Sequence, residues 1–151
     1  TLQHMKLHGA FYNTACVTPA LADAVLDGLQ AVNPNIAAMV LSGSYIAKEA
    51  ERRGIPVIQE VFADRGYTDE GTLVPRTESG AFIKDPQEAL ERVLMMVTEG
   101  KVVTNTGNTI DIVADSVCVH GDNPEAIAFT NYIREGLTKA GVTVANFQNR
   151  K

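Results

Sequence analysis

A chain of 151 residues, 45% apolar and 21% charged, can bury one core and is not disordered, yet it is short of the roughly 250 residues of a complete eight-fold β/α barrel. Thirteen Lys and Arg against eighteen Asp and Glu leave a formal net charge of −5, and with no basic cluster there is no footprint for nucleic acid. No apolar run has the length of a membrane span, no signal peptide is visible, and Cys16 and Cys118 have neither metal-type spacing nor the number for a disulfide framework, so a reducing cytoplasm is the expected compartment.

His4 to His8 predicts a short strand. Thr18-Pro19 predicts a helix start, with Thr as cap and Pro in the first turn, and Leu21, Val25, Leu29 and Val32 keep helical spacing until Asn33-Pro34. The unbroken apolar run Ile36 to Leu41 predicts a strand covered on both faces. A helix from Tyr45 to Arg53 ends at Gly54, and Ile55 to Phe62 is the next strand. Residues 63 to 84 predict a long polar connection without regular structure, and a connection of that length suggests function. Asp85-Pro86 caps a helix ending at Gly100; Val102 to Asn108 and Thr109 to Val113 are short β-like pieces around a Thr-Gly-Asn turn. Ser116 to His120 is a strand, Asn123-Pro124 opens a helix to Ala140, and Val142 to Phe147 predicts a closing strand.

Strands alternating with helices predict an α/β fold with a parallel sheet of βαβ units, in one domain spanning residues 1–151. In such folds ligands bind at the C-terminal ends of the strands. Lys6, His8, Glu60, Asp64, Arg65, His120 and Asp122 should therefore gather on one rim. Each also has a plainer reading. Lys6 could snorkel to water and His8 bond a backbone carbonyl. Asp122 or Asn123 caps the following helix, whose N-terminus also attracts anions. Asp64 and Arg65 could simply pair with each other, although charge at the end of an apolar strand is costly unless paired or used. The long connection adds Tyr67, Asp69 and Arg76, with Asp69-Glu70-Gly71 a turn.

No P-loop, dinucleotide fingerprint or G-x-S-x-G elbow occurs in the chain. Convergence of His8, His120 and a carboxylate in space is the open route to a metal.

Four blocks carry a resemblance: KLHGAFYN (Lys6 to Asn13), EVFADRGYTDEGTLVPR (Glu60 to Arg76), GAFIKD (Gly80 to Asp85) and DSVCVHGDNP (Asp115 to Pro124). In content, order and spacing, over essentially the whole chain, they resemble the LamB/YcsF family, the A subunit of bacterial 5-oxoprolinase. The resemblance implies a parallel (β/α) barrel of the glycoside hydrolase/deacetylase type. It also implies ATP-dependent opening of the 5-oxo-L-proline lactam to L-glutamate with B and C subunits, which would handle ATP at least in part. The positions matching the family motifs are Lys6, His8, Tyr12, Asn13, Glu60, Asp64, Arg65, Arg76, His120 and Asp122.

An Asp-Leu-Asn-x-Asp strand motif and a Cys-Gly-Phe-His-Ala-Gly-Asp-Pro segment of the family do not occur here, and the Met-less start Thr-Leu-Gln-His runs straight into strand-like sequence. The expectation is therefore the C-terminal portion of a barrel lacking its N-terminal strands, either a fragment or a shortened form, with open edges that pair, aggregate or recruit another chain. As a mechanism, His8 or Asp64 would act as base toward water and His120 as acid toward the leaving nitrogen, or the reverse. Lys6 and Arg65 would hold developing negative charge or a phosphate, and Arg76 the substrate carboxylate; Glu60, Tyr12, Asn13 and Asp122 complete the expected substrate contacts. The rivals are a non-catalytic subunit that binds a small acid or sugar, and a metal-dependent deacetylase.

Overall fold

The computed structural model describes residues 2–120 and 126–146. Its centre is a four-stranded, all-parallel sheet in the order β1 (His4–Lys6), β2 (Ala37–Leu41), β3 (Val57–Phe62), β6 (Ser116–Cys118). Helices α2 (Pro19–Val32), α3 (Tyr45–Arg52), α4 (Pro86–Thr98) and α5 (Ala126–Lys139) flank it, and β4 (Lys101–Val103) with β5 (Thr109–Asp111) forms a separate antiparallel hairpin. This is the predicted α/β class, a parallel sheet curved as a half-barrel.

Alternation along each strand divides the side chains between two faces. Ala38 and Val40 of β2 pack with Leu26, Leu29, Ile46 and Ala50 of α2 and α3, and Met5 and Leu7 join that cluster. Val61 packs with Ala89, Val93 and Met96 of α4, in a cluster that also takes Ile133 and Leu137 of α5. The alternate positions Lys6, Glu60 and Cys118 meet one another on the other face. Local chemistry sets the helix starts: the Asp85 side chain accepts from the Gln87 N–H (3.0 Å) and Ser44 accepts from the Ala47 N–H (3.4 Å). Thr18 caps α2 through geometry alone, with no side-chain hydrogen bond.

The structure departs from the sequence reading in three places. Gly9–Val17 is a helix, α1, which meets α2 at 112° across Thr18. It presents Tyr12, Ala15 and Cys16 inward and leaves Phe11 and Val17 exposed, so its apolar residues do not form one clean stripe. The predicted strand at Val142 to Phe147 does not form over its described part: residues 142–146 lie as irregular chain along the β6–α5 face, with no ladder partner among the described residues.

The third departure is the 63–84 connection, which is hydrogen-bonded to itself. Arg65 bridges Phe82 and Tyr67 bridges Leu73 in antiparallel fashion, and the Ile83 N–H returns to the Asp64 carbonyl (3.0 Å). Tyr67 and Val74 are fully buried, and the Tyr67 hydroxyl accepts the Phe62 N–H (2.9 Å). Asp69 fastens this flap to the β4–β5 hairpin, accepting from Thr104, Thr106 and Asn108. Those bonds hold its carboxyl below the usual range.

Candidate active site at the strand ends

The C-terminal ends of β1, β3 and β6 meet the start of α1 and the flap around a cleft of about 530 Å³, lined among others by Lys6, His8, Tyr12, Phe62, Arg76 and His120. β1 delivers Lys6 into it. Immediately after, Gly9 turns the chain at φ +61, a conformation that favours glycine, and α1 folds back so that Tyr12 reaches the same space.

Lys6 and Glu60 make the first unit. The Lys6 ammonium donates to Glu60 Oε1 (2.5 Å) and to Cys118 Sγ (3.4 Å), and Tyr12 Oη donates to Glu60 Oε2 (3.0 Å). The Tyr12 and Phe62 rings lie 5.8 and 5.4 Å from the same ammonium. Glu60 is 2% exposed, and a buried charge of this kind persists only when paired. Burial works against the charged Lys6, but its hydrogen bond to Glu60 and the charges of Glu60 and Cys118 outweigh that and raise its pKa above the usual lysine value. Burial first, then the Glu60 charge, pushes the Cys118 thiol up to about 11, so it stays protonated at neutral pH.

His120 and Asp64 make the second unit. His120 Nδ1 lies 2.7 Å from Asp64 Oδ2, and the imidazole stacks on Phe62 with centroids 5.5 Å apart and planes 22° from parallel. With Nδ1–H donated to the carboxylate, Nε2 carries the lone pair. Asp64 therefore pairs with His120 and not with Arg65, as the simplest reading of two adjacent charges had it. A carboxylate held against one imidazole nitrogen orients the ring, so the ring rather than the carboxylate is placed to exchange a proton with a ligand.

Arg65 is tied to the flap. Its Nε donates to the Ala81 carbonyl (2.9 Å) and its Nη2 to the Val74 carbonyl (2.5 Å), and it is 2% exposed. Burial and the neighbouring Arg76 pull its pKa below the usual arginine value, with Asp64 opposing. Two of its donors thus brace backbone, which explains why so costly a charge sits there. Arg76 is exposed on the cleft wall, and both guanidiniums lie against the Phe82 ring, at 5.2 and 5.4 Å. His8 and Asn13 line the cleft from the start of α1; His8 occupies the N-cap position without a capping hydrogen bond. Tyr67 is a core residue with no access to the cleft. Asp122 lies outside the described residues, as does the Asn123-Pro124 helix start. Among the described residues no three His, Cys, Asp or Glu side chains converge to hold a metal ion.

Phe62 and Cys118 are central to this geometry and were not among the sequence candidates. Phe62 reads as one more apolar strand residue, and only its alternation with Glu60 places it on the same face. Cys118 stands two residues before His120, which puts it on the same side of its strand.

The family model for LamB/YcsF matches residues 1–151. The chain belongs to the LamB/YcsF family. Two curated relatives, each named as the A subunit of 5-oxoprolinase, are those of Fusobacterium nucleatum subsp. nucleatum, 58% identical over 143 residues, and Pyrococcus horikoshii, 45% identical over 143 residues. Each alignment covers 95% of this chain and 56% of the relative. The crystal structure of a lactam utilization protein from Thermus thermophilus superimposes with a TM-score of 0.87 at 39% identity, over 97% of this chain and 58% of that one. This LamB/YcsF chain thus spans a little over half the length of these relatives. Among its described residues no single helix is long and apolar enough to cross a membrane.

Proposed function

We propose that this chain forms part of the A subunit of an ATP-dependent 5-oxoprolinase, a cytoplasmic enzyme that opens the lactam of 5-oxo-L-proline to L-glutamate together with B and C subunits. The observation that carries this reading is the convergence of Lys6 and the His120–Asp64 pair on one cleft at the strand ends. The names of the relatives, as 5-oxoprolinase A subunits and a lactam utilization protein, supply the substrate class.

Lactam opening needs a proton removed from the attacking water, a proton delivered to the ring nitrogen, and charge held on the carbonyl oxygen as the tetrahedral centre forms. His120 Nε2 takes the proton from water while Asp64 steadies the ring; the same imidazolium then protonates the departing nitrogen, so the Cδ–N bond breaks as the acid forms. Lys6, which like His120 lies against the Phe62 ring, holds the developing oxyanion. Arg76, exposed on the cleft wall, clamps the substrate carboxylate. His8 and Asn13 contact the ligand from the start of α1. ATP is a co-substrate, handled at least in part by the partner subunits.

The sheet bears on completeness too. β1 and β6 are its two edges, and the relatives are longer by almost half of their own length. We read the described sheet as the C-terminal part of a (β/α) barrel, completed by strands from the remainder of the full-length protein.

The test is ATP-dependent conversion of 5-oxoproline to glutamate, with B and C subunits added either to this chain or to a version extended upstream. Turnover with the extended version supports the proposal. Tight binding of 5-oxoproline with no turnover by either version overturns it in favour of a non-catalytic binding subunit.

A further inference from the structure

Glu60 and Tyr12 face the cleft in sequence logic, as substrate contacts, but their geometry gives them another task. One Glu60 oxygen accepts from Lys6 and the other from Tyr12, with the carboxylate 2% exposed. That burial, with both oxygens already engaged, leaves no face of Glu60 open to a ligand. Tyr12 is 5% exposed, its ring is packed edge-on against Phe62 at 5.7 Å, and its one hydroxyl hydrogen is committed to Glu60. Lys6, by contrast, has three N–H bonds, of which two are directed to Glu60 and Cys118. The third remains for the cleft.

We propose that Tyr12 and Glu60 are a positioning pair for Lys6: they fix its ammonium at one point of the cleft so that a single N–H meets the ligand, and they do not touch the substrate themselves. A lysine ammonium sits on a flexible four-carbon stem, and an oxyanion is stabilised best by a donor already in place. The carboxylate supplies the charge that anchors it, and the tyrosine holds that carboxylate in one rotamer. The groups facing Lys6 are Glu60 from β3, Cys118 from β6 and Tyr12 from α1, with His8, Arg65, Arg76 and the His120–Asp64 pair around the same cleft. Burial opposes the charged Lys6, and the hydrogen bond and charge of Glu60 are the largest effects that raise its pKa, ahead of Cys118. This inference rests on the role given to Lys6 above.

Three variants of the full-length protein, assembled with its partner subunits, separate anchoring from substrate contact. Tyr12→Phe removes one oxygen from a packed ring and keeps the fold; kcat should fall about tenfold with KM within twofold. Glu60→Asp keeps the charge but retracts it by one methylene; it should show the same kcat loss while Lys6 still titrates near its original pH. Glu60→Gln keeps the shape and removes the charge; the Lys6 titration, followed by the ¹³Cε NMR shift in protein labelled with ¹³C-lysine and otherwise unmodified, should move down by at least one pH unit, and the alkaline limb of kcat with it. A tenfold rise in KM with kcat intact in Tyr12→Phe would make these residues substrate contacts and overturn the proposal. So would an unmoved Lys6 titration in Glu60→Gln. Should Glu60→Gln not fold, the Tyr12→Phe and Glu60→Asp kinetics decide alone. If the assembled wild-type protein does not convert 5-oxoproline, the enzymatic reading fails, while the Lys6 titration, which needs no substrate, still decides the pair.

Discussion

Replacing Gly66 by Ala tests how the flap is held over the cleft. A Cβ built at Gly66 would stand 2.0 Å from the Gly80 carbonyl oxygen, where real contacts stop at 3.0 Å, so two backbones must part by about 1 Å. Neither can retreat freely. The Gly66 N–H donates to the Ala81 carbonyl (3.1 Å), the Gly66 carbonyl accepts from the Val74 N–H (3.0 Å), and Arg65 grips that same Ala81 carbonyl and the carbonyl of Val74. Losing one neutral bond and one charged bond of this set costs about 3 kcal/mol, at roughly 1 for the first and 1.5–3 for the second. For a chain of this size that is a fall in Tm of roughly 6–12 °C.

Differential scanning calorimetry of this chain measures it, with Gly28→Ala as control. Gly28 sits inside α2 with nothing within 4 Å of an added Cβ and no positive φ, and should gain about 0.5–1 kcal/mol from helix propensity. A Gly66→Ala protein melting within 2 °C of wild type, beside a stabilised Gly28→Ala, would refute the close approach of the two flap segments. Hydrogen exchange then localises the damage: Gly66, Val74 and Ile83 amides should lose protection before those of β2.

Three further outcomes follow from the same geometry. Asp64→Asn in the assembled protein removes the carboxylate that orients His120 and should lower turnover of 5-oxoproline at least 100-fold, with little change in KM; a loss below threefold would remove His120 from proton transfer. Cys118, with its thiol pushed up to about 11 by burial and Glu60, is overwhelmingly protonated at pH 8. Its iodoacetamide reaction should therefore be slow there, rise about tenfold per pH unit toward pH 11, and speed up at fixed pH in Glu60→Gln; rapid labelling at pH 7 would contradict the burial argument. Tyr67→Phe leaves the buried Phe62 N–H without its acceptor and should cost about 1–2 kcal/mol in urea denaturation, with an unchanged midpoint as the contrary result.

What the sequence determined by itself is local or motif-borne. Strand–helix alternation follows from apolar period and from stop signals that act within a few residues: Thr18-Pro19 and Asp85-Pro86 at helix starts, Gly54 and Gly100 after helix ends. The family blocks stand contiguously in the chain, so membership was legible there too. Where local signals conflict, the reading failed. α1 has no side-chain cap and a broken apolar stripe, and its helix is set by packing Tyr12, Ala15 and Cys16 onto the sheet. Val142 to Val144 alternate like a strand, yet a strand exists only where a neighbour supplies a ladder.

Only the tertiary structure decided how the chemistry is shared. Lys6 and Glu60 are 54 positions apart, and Asp64 and His120 are 56 apart; no local pattern says that Glu60 is closed off while Lys6 and His120 face the cleft. Whether Arg65 clamps a substrate or two flap carbonyls depends on where Val74 and Ala81 come to lie. Residue type sets what a group is able to do. Its burial and its partners, which arise from contacts distant in sequence, set which of those things it does.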